Sequence, residues 1–347
     1  MAFLDEVAEQ GKVLRDLIEF YRGDGELLLS KAYHSIYHHT RSFTFTGMGT
    51  SEFVPLVIRD YLADKSPAPV ALWEAGELLH YGMETIRDDD TIIAISQSGE
   101  SIETRLVSER LRFHKYHITV TNNPKSTMAQ ISVLNLPMVA GEEATISNKT
   151  YTNSMAVMLL LSRALILENW EPLFTDLERV ADAMDDFHAN RRSEVVRAAD
   201  HLKDAQAVYF VSRGPAMAVA KQAALTFQEG SHVFTCALPG GSMRHGPFEV
   251  VRPGFHAALF ADDAHGGDLV RSMAAEMAEL GGKVVLFTAK EVDDHANIVS
   301  IVLKPGEPEL FPLACAVPQE LLLDRMASDR GWTAGVFERG SKITERE

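Results

Sequence analysis

The chain reads as an α/β protein built from two doubly wound parallel sheets of five strands each. Short apolar or β-branched runs alternate with helical patterns along most of its length, the mark of a parallel sheet wound with helices. The alternation occurs twice, with matching intervals between successive strands in the two halves, as an internal repeat would give. Finally, the run Thr91-Ile-Ile-Ala-Ile95 stops abruptly at the hydroxyl-rich turn Ser96-Gln97-Ser98-Gly99-Glu100-Ser101, ahead of the helical pattern Ile102, Leu106, Val107, Leu111. A strand, a turn and a helix start in that order are how wound sheets present a ligand site.

In chain order, residues 1–40 form a helical leader, with Val7, Val13, Leu14, Leu17 and Ile18 near one face. His34, His38 and His39 have the spacing that could hold a metal on a helix, but no carboxylate completes a site. They read as surface histidines, and no metal is expected. The first wound domain takes residues 41–170, with strands at Phe43–Thr46, Val70–Trp73, Thr91–Ile95, His117–Thr121 and Val133–Pro137. Helix formers dominate from Tyr151 onward, and residues 171–204 are assigned as a helical connector. The second domain, 205–330, has strands at Ala207–Val211, His232–Cys236, His256–Phe260, Lys283–Phe287 and Ile298–Leu303. A tail, 331–347, closes the chain.

Composition narrows the function. With 347 residues, 46% hydrophobic and 24% charged, there is ample core for an enzyme. The formal charge is 33 minus 49, or -16, which argues against nucleic acid or an anionic membrane as a partner. An anionic substrate must then be drawn in by local donors. Cys236 and Cys315 show neither disulfide-framework nor zinc-knuckle spacing, so a reducing cytoplasm is the expected location. Asp5, Glu6 and Glu9 rule out the basic start of a secretory signal, and the apolar run Ala156–Leu161 is far short of a membrane span. That run is expected to be a core helix.

Backbone N–H groups at the positive end of a helix dipole, ringed by the hydroxyls of Ser96, Ser98 and Ser101, form a seat for an anion such as a phosphate. The competing reading is a serine-capped helix with no ligand. The turn has no Walker lysine and no strand is followed by G-x-G-x-x-G, so a small phosphorylated metabolite fits better than a nucleotide. Gly47-Met-Gly-Thr50-Ser51, after the first strand, should face the same crevice. In the second half, the loop Leu238-Pro-Gly-Gly-Ser-Met-Arg244-His245-Gly-Pro247 offers His245 as a proton carrier, or as a structural histidine. Glu229, on an otherwise apolar and neutral helix, is either a partly buried base or a solvated side chain. Lys342, in the tail, is frayed or else covers a pocket.

From about residue 40 to the end, Gly49-Thr-Ser51, Ser96-Gln-Ser-Gly-Glu100, Ser147-Asn-Lys149, Glu229, His245-Gly-Pro247 and Lys342 resemble the SIS (sugar isomerase) family, specifically the isomerase half of glucosamine-6-phosphate synthase. The resemblance implies two tandem SIS domains of flavodoxin-like winding, a C-terminal loop over the active site, and a homodimer with a shared active site. It also implies a small C6-anionic sugar as substrate and no cofactor. By position, Thr50, Ser51, Ser96, Gln97, Ser98, Ser101 and Ser147 would hold the phosphate or the sugar hydroxyls. Glu229 would move a proton between C1 and C2, and His245, from the neighbouring subunit, would open the ring. Lys342 would sit near the open-chain carbonyl or form a Schiff base.

The chain also departs from the pattern. Ala2 stands where the synthase's glutaminase half starts with a cysteine nucleophile, so glutamine-dependent amination is not expected. Thr226 replaces a lysine three positions before the catalytic Glu, Ser101 replaces a threonine, and Arg244 before the motif histidine offers a fork for an anionic group. Three readings follow: an aldose-ketose isomerase of a sugar phosphate, deaminating if its substrate carries nitrogen at C2; an isomerase or deglycase of a related C6-anionic sugar, such as a sulfonated hexose or fructosamine 6-phosphate; or a non-catalytic sugar-phosphate sensor.

Overall fold

Strand β3 (Thr91–Ser96) is buried along its whole length, which explains its unbroken apolar run: helices cover both faces of the sheet around it. The computed structural model describes residues 3–36, 40–339 and 342. Around β3 lie β1 (Phe43–Gly47), β2 (Val70–Glu74), β4 (His117–Thr121) and β5 (Leu134–Pro137), in the order β2-β1-β3-β4-β5. The second sheet comprises β6 (Ala207–Ser212), β7 (Phe234–Pro239), β8 (His256–Ala261), β9 (Lys283–Thr288) and β10 (Ile298–Val302). Its order, β10-β9-β8-β6-β7, is that of the first sheet read from the opposite edge, and every pairing in both sheets is parallel. The expected fold class of two parallel five-stranded sheets flanked by helices is therefore what the structure shows.

Two expected strand starts are corrected: β5 opens at Leu134 rather than Val133, and β7 opens later than His232. His232 does not open β7; it ends the preceding helix in a left-handed conformation, φ 54°, and its ring stacks on Trp332 with centroids 4.2 Å apart. The strand begins two residues later, at Phe234.

The leader folds as three helices, α1 (Phe3–Ala8), α2 (Gln10–Arg22) and α3 (Glu26–Ile36), and Val7, Val13, Leu14, Leu17 and Ile18 are all buried. His38, His39 and the side chain of His34 lie outside what the structure describes. Helices α4 (Thr50–Phe53), α5 (Leu56–Lys65), α6 (Ala75–Glu77), α7 (Ile102–Arg110) and α8 (Thr127–Ile131) accompany the first sheet. Then come α9 (Lys149–Leu165), α10 (Glu171–Asn190) and α11 (Arg192–Leu202). The second sheet is accompanied by α12 (Met217–Ser231), α13 (Gly240–Arg244), α14 (His265–Glu279), α15 (Phe311–Ala314) and α16 (Ala316–Asp329). Every residue of α9 except Arg163 is buried, so the run Ala156–Leu161 is a core helix, packed on α3 and α5. No described helix is long and apolar enough to cross a membrane.

The chain forms two compact units. The first-sheet unit holds Lys12–Glu143, Lys149–Glu178 and Lys342 of the tail. The second-sheet unit holds residues 3–11, Ala144–Asn148 and Arg179–Glu338. The leader is thus divided after Gly11, and α1 folds with the second sheet.

In the first sheet, His117 is fully buried at the start of β4, and neither ring nitrogen has a hydrogen-bond partner. Burial, assisted by the charge of His114, lowers its pKa to about 4. The native state therefore keeps the ring neutral, whereas the unfolded chain protonates it below about pH 6.5. Stability should fall as the pH drops from about 6.5 to about 4, by on the order of 3 kcal/mol from this group. Urea denaturation at pH 7 and pH 4.5 should show a smaller acid loss in His117→Phe than in the unmodified chain. Equal losses in both would refute the assignment.

Candidate functional site

In the first-sheet unit, the two hydroxyl-bearing turns leave the carboxyl ends of β1 and β3, which pair directly with each other. The connections after these two strands run to opposite sides of the sheet order, the position at which wound sheets bind ligands. The β1 turn doubles back tightly: a Cβ on Gly47 would lie 2.8 Å from the Ser51 backbone. Gly49, at φ 53°, caps α4, and Thr50 and Ser51 follow as its first residues, both partly exposed.

The β3 turn is held from several directions. Ser96 and Ser98 are buried, and their hydroxyls accept hydrogen bonds from the backbone N–H groups of Gly99 and Glu100, each at 3.1 Å. The Gln97 carbonyl accepts from the Asn122 N–H at 3.0 Å. The Glu100 carboxylate accepts from the Thr127 N–H at 2.7 Å, tying the turn to the start of α8. Ser101 is the N-cap residue of α7, yet its side chain does not cap the helix; it accepts instead from the Ser96 hydroxyl at 3.2 Å. The serine-capped alternative is therefore not what the sequence builds. The start of α7 is left without a side-chain cap beside three clustered hydroxyls, an arrangement suited to an anion.

Lys342 belongs to the same unit and pairs with the Glu143 carboxylate at 2.5 Å. Glu143 is buried and also caps α9, accepting from the Thr150 N–H at 2.9 Å and the Thr150 hydroxyl at 2.7 Å. Lys149 is buried as well, its Nζ donating to the Glu142 carbonyl at 2.6 Å. An ammonium paired in this way supplies positive charge, whereas a nucleophilic amine would first have to leave Glu143 and give up a proton.

Ser147 lies in the second-sheet unit, on a short segment anchored at both ends. From α1, buried Glu6 accepts from the Ala144 N–H at 2.6 Å, from the Thr145 hydroxyl, and from the Asn148 side-chain amide at 3.2 Å. From α12, Gln222 donates to the Ser147 carbonyl at 3.1 Å. Gln222, Thr226 and Glu229 stand one and two turns apart on one face of that helix. A Cβ on Gly230 would come within 3.0 Å of Ile146, so the Ser147 segment runs along α12 beside the partly buried Glu229. Thr226 is fully buried and its hydroxyl is spent on the Gln222 carbonyl of its own helix, at 3.0 Å.

His245 follows α13 and is exposed, and the turn after it needs Gly246 at φ 114°. Arg244 is engaged rather than open. Its guanidinium meets the Glu276 carboxylate through two hydrogen bonds of 2.5 and 2.6 Å and lies over the Phe248 ring. The hydrogen bond from Arg244 holds the Glu276 carboxyl below its usual range. The fork expected for an anionic ligand thus already carries a carboxylate.

Residues 36–167 match the SIS domain family. The chain is 28% identical over 336 residues to the glutamine-fructose-6-phosphate aminotransferase (isomerizing) of Bacillus subtilis, covering 94% of this chain and 55% of that protein. It therefore spans about half the length of the curated relatives it matches. Among solved structures, the C-terminal domain of glucosamine-fructose-6-phosphate aminotransferase from Francisella tularensis superposes with a TM-score of 0.84 at 21% identity, covering 96% of this chain and 97% of that one. Glucosamine-6-phosphate deaminase from Thermotoga maritima gives 0.74 at 21% identity, covering 98% of each. The hydroxyl-bearing turn after β3 falls inside the residues that match the SIS domain family.

Proposed function

We propose that the protein is an aldose-ketose isomerase of a sugar 6-phosphate, releasing ammonia when its substrate is an amino sugar. The observation that carries this reading is the turn after β3, where three serine hydroxyls and an uncapped helix start gather in a chain of net charge -16. Such a chain does not attract an anion by its overall field, so neutral donors fixed in place must do so. In this reading Ser96, Gln97, Ser98, Ser101, Thr50 and Ser51 hold the phosphate, and Ser147 binds the sugar hydroxyls. Glu229 takes the proton from one carbon of the C1-C2 pair and returns it to the other through an enediol-like intermediate. His245, supplied by the second subunit of a homodimer, donates to the ring oxygen as the ring opens. Lys342, carried as a cation on Glu143, sits near the carbonyl oxygen as negative charge develops there. No cofactor is needed for this proton shuttle. Two of the fold relatives, the C-terminal domain of an aminotransferase and a deaminase, are compatible with amino-sugar chemistry.

The reading with a sulfonated hexose or a fructosamine rested on Arg244 and Thr226. Arg244 is paired with Glu276, and the Thr226 hydroxyl is used within its own helix. Neither adds a donor for a different anion. A thermal-shift screen against C6-phosphorylated and C6-sulfonated hexoses, amino sugars and fructosamines, followed by assays for ketose and ammonia, tests the proposal. A phosphorylated hexose or amino sugar should raise the melting temperature and yield ketose. A strong shift without turnover would make the protein a sensor, and a preference for a sulfonate or a fructosamine would move the function to that substrate class.

A further inference from the structure

The repeat places a second turn in the second-sheet unit where the first-sheet unit has Gly47-Met-Gly-Thr-Ser51. After β6 the chain runs Ser212-Arg213-Gly214-Pro215-Ala216. Gly214, at φ 58°, and Gly49, at φ 53°, both have the positive φ that favours glycine. The side chains differ: Pro215 and Ala216 replace the hydroxyls of Thr50 and Ser51, and Arg213 replaces Met48. β6 pairs with β8 as β1 pairs with β3, so this turn also leaves the strand beside the central one, where the sheet order reverses.

The Arg213 side chain makes no hydrogen bond or ion pair among the described residues, although the residue is only partly exposed, and its Nε is buried with no acceptor. Its position is specific. A Cβ on Gly240 would lie 2.8 Å from Nε, one on Gly241 3.8 and 3.9 Å from the terminal nitrogens, and one on Gly266 3.4 Å from the arginine Cβ. The guanidinium thus lies against bare backbone at Gly240 and Gly241, at the foot of the loop that carries His245, with Gly266 against the base of the side chain. The carboxylate at the corresponding β8 turn, Asp262, is not its partner: Asp262 accepts from the Ala264 N–H at 3.1 Å at the start of α14, and burial raises its pKa. A buried guanidinium nitrogen with no acceptor is costly unless something supplies one, and the planar fork of arginine matches a phosphate oxygen pair.

We propose that Arg213 is the anchor of a second anion site, in the second-sheet unit, which takes a phosphate group. The site is separate from the serine turn after β3 and does not depend on the isomerase reading. Two independent donor sets then sit at the two switch points, one built of hydroxyls and one of a cation.

Inorganic phosphate, titrated into the full chain by calorimetry in phosphate-free buffer, should bind at two sites. Arg213→Gln should remove one, or weaken it by about tenfold or more. Ser98→Ala should weaken the other and leave the Arg213 site unchanged. Methyl phosphate in a parallel titration separates sources: tighter binding than inorganic phosphate assigns the site to a phosphate ester, and equal binding to free phosphate. If Arg213→Gln lowers the melting temperature yet binds phosphate with the number and affinity of the unmodified chain, Arg213 is structural and the site does not exist. Should that variant fail to fold, phenylglyoxal modification of the unmodified chain, followed by peptide mass spectrometry, decides the matter. Phosphate should protect Arg213 at least several-fold, and unchanged modification overturns the proposal.

Discussion

Glu229→Gln should lower turnover of the substrate by about 10² to 10⁴-fold while leaving its thermal shift nearly intact. Glutamine keeps the shape and the hydrogen-bonding reach of the side chain but cannot take a proton from carbon. Because Glu229 is partly buried on α12, beside the segment held by Gln222, the substitution disturbs little packing. Exchange of the substrate's C1 and C2 hydrogens with deuterated solvent should stop together with turnover. If exchange and turnover both persist, the proton is carried by another group. If binding disappears as well, Glu229 is a ligand-holding residue and not the base.

Gly99→Ala should destabilise the chain by about 2–4 kcal/mol and abolish anion binding at the β3 turn. The two causes are separate and both are visible in the structure. Gly99 has φ 67°, where a side chain is strained, and an added Cβ would meet the Ser126 hydroxyl at 2.1 Å. Ser126 caps α8, so it has little freedom to retreat. Chemical denaturation measures the first effect and phosphate titration the second. A loss below about 1 kcal/mol would mean that the turn relaxes without cost.

The sheets were legible because burial on both faces writes itself into the sequence as short apolar runs, and the doubled spacing exposed the repeat. The serine turn was legible for a related reason: hydroxyls crowded between an apolar strand and a helix start have few structural uses. What holds the candidate residues was not legible. Glu143 pairs with Lys342 across 199 positions, and Arg244 meets Glu276 across 32. No local spacing announces a partner so far away, so Arg244 read as an open fork although the structure fills it. β propensity alone places His232 in a strand, since it carries no mark for a left-handed residue that ends a helix.

The anchoring of Ser147 also bears on the order in which the molecule becomes competent. Glu6 must wait for Ala144, 138 residues later, to be made, and the Ser147 carbonyl waits a further 75 for Gln222. Contacts that close such long loops form late, because the chain entropy they restrain is paid before they return anything. On the ribosome, the β3 turn can be complete while the Ser147 segment is still an unanchored strand of chain. Binding competence should therefore arrive in two stages, the anion seat first and the segment beside α12 only after the second sheet has begun to assemble.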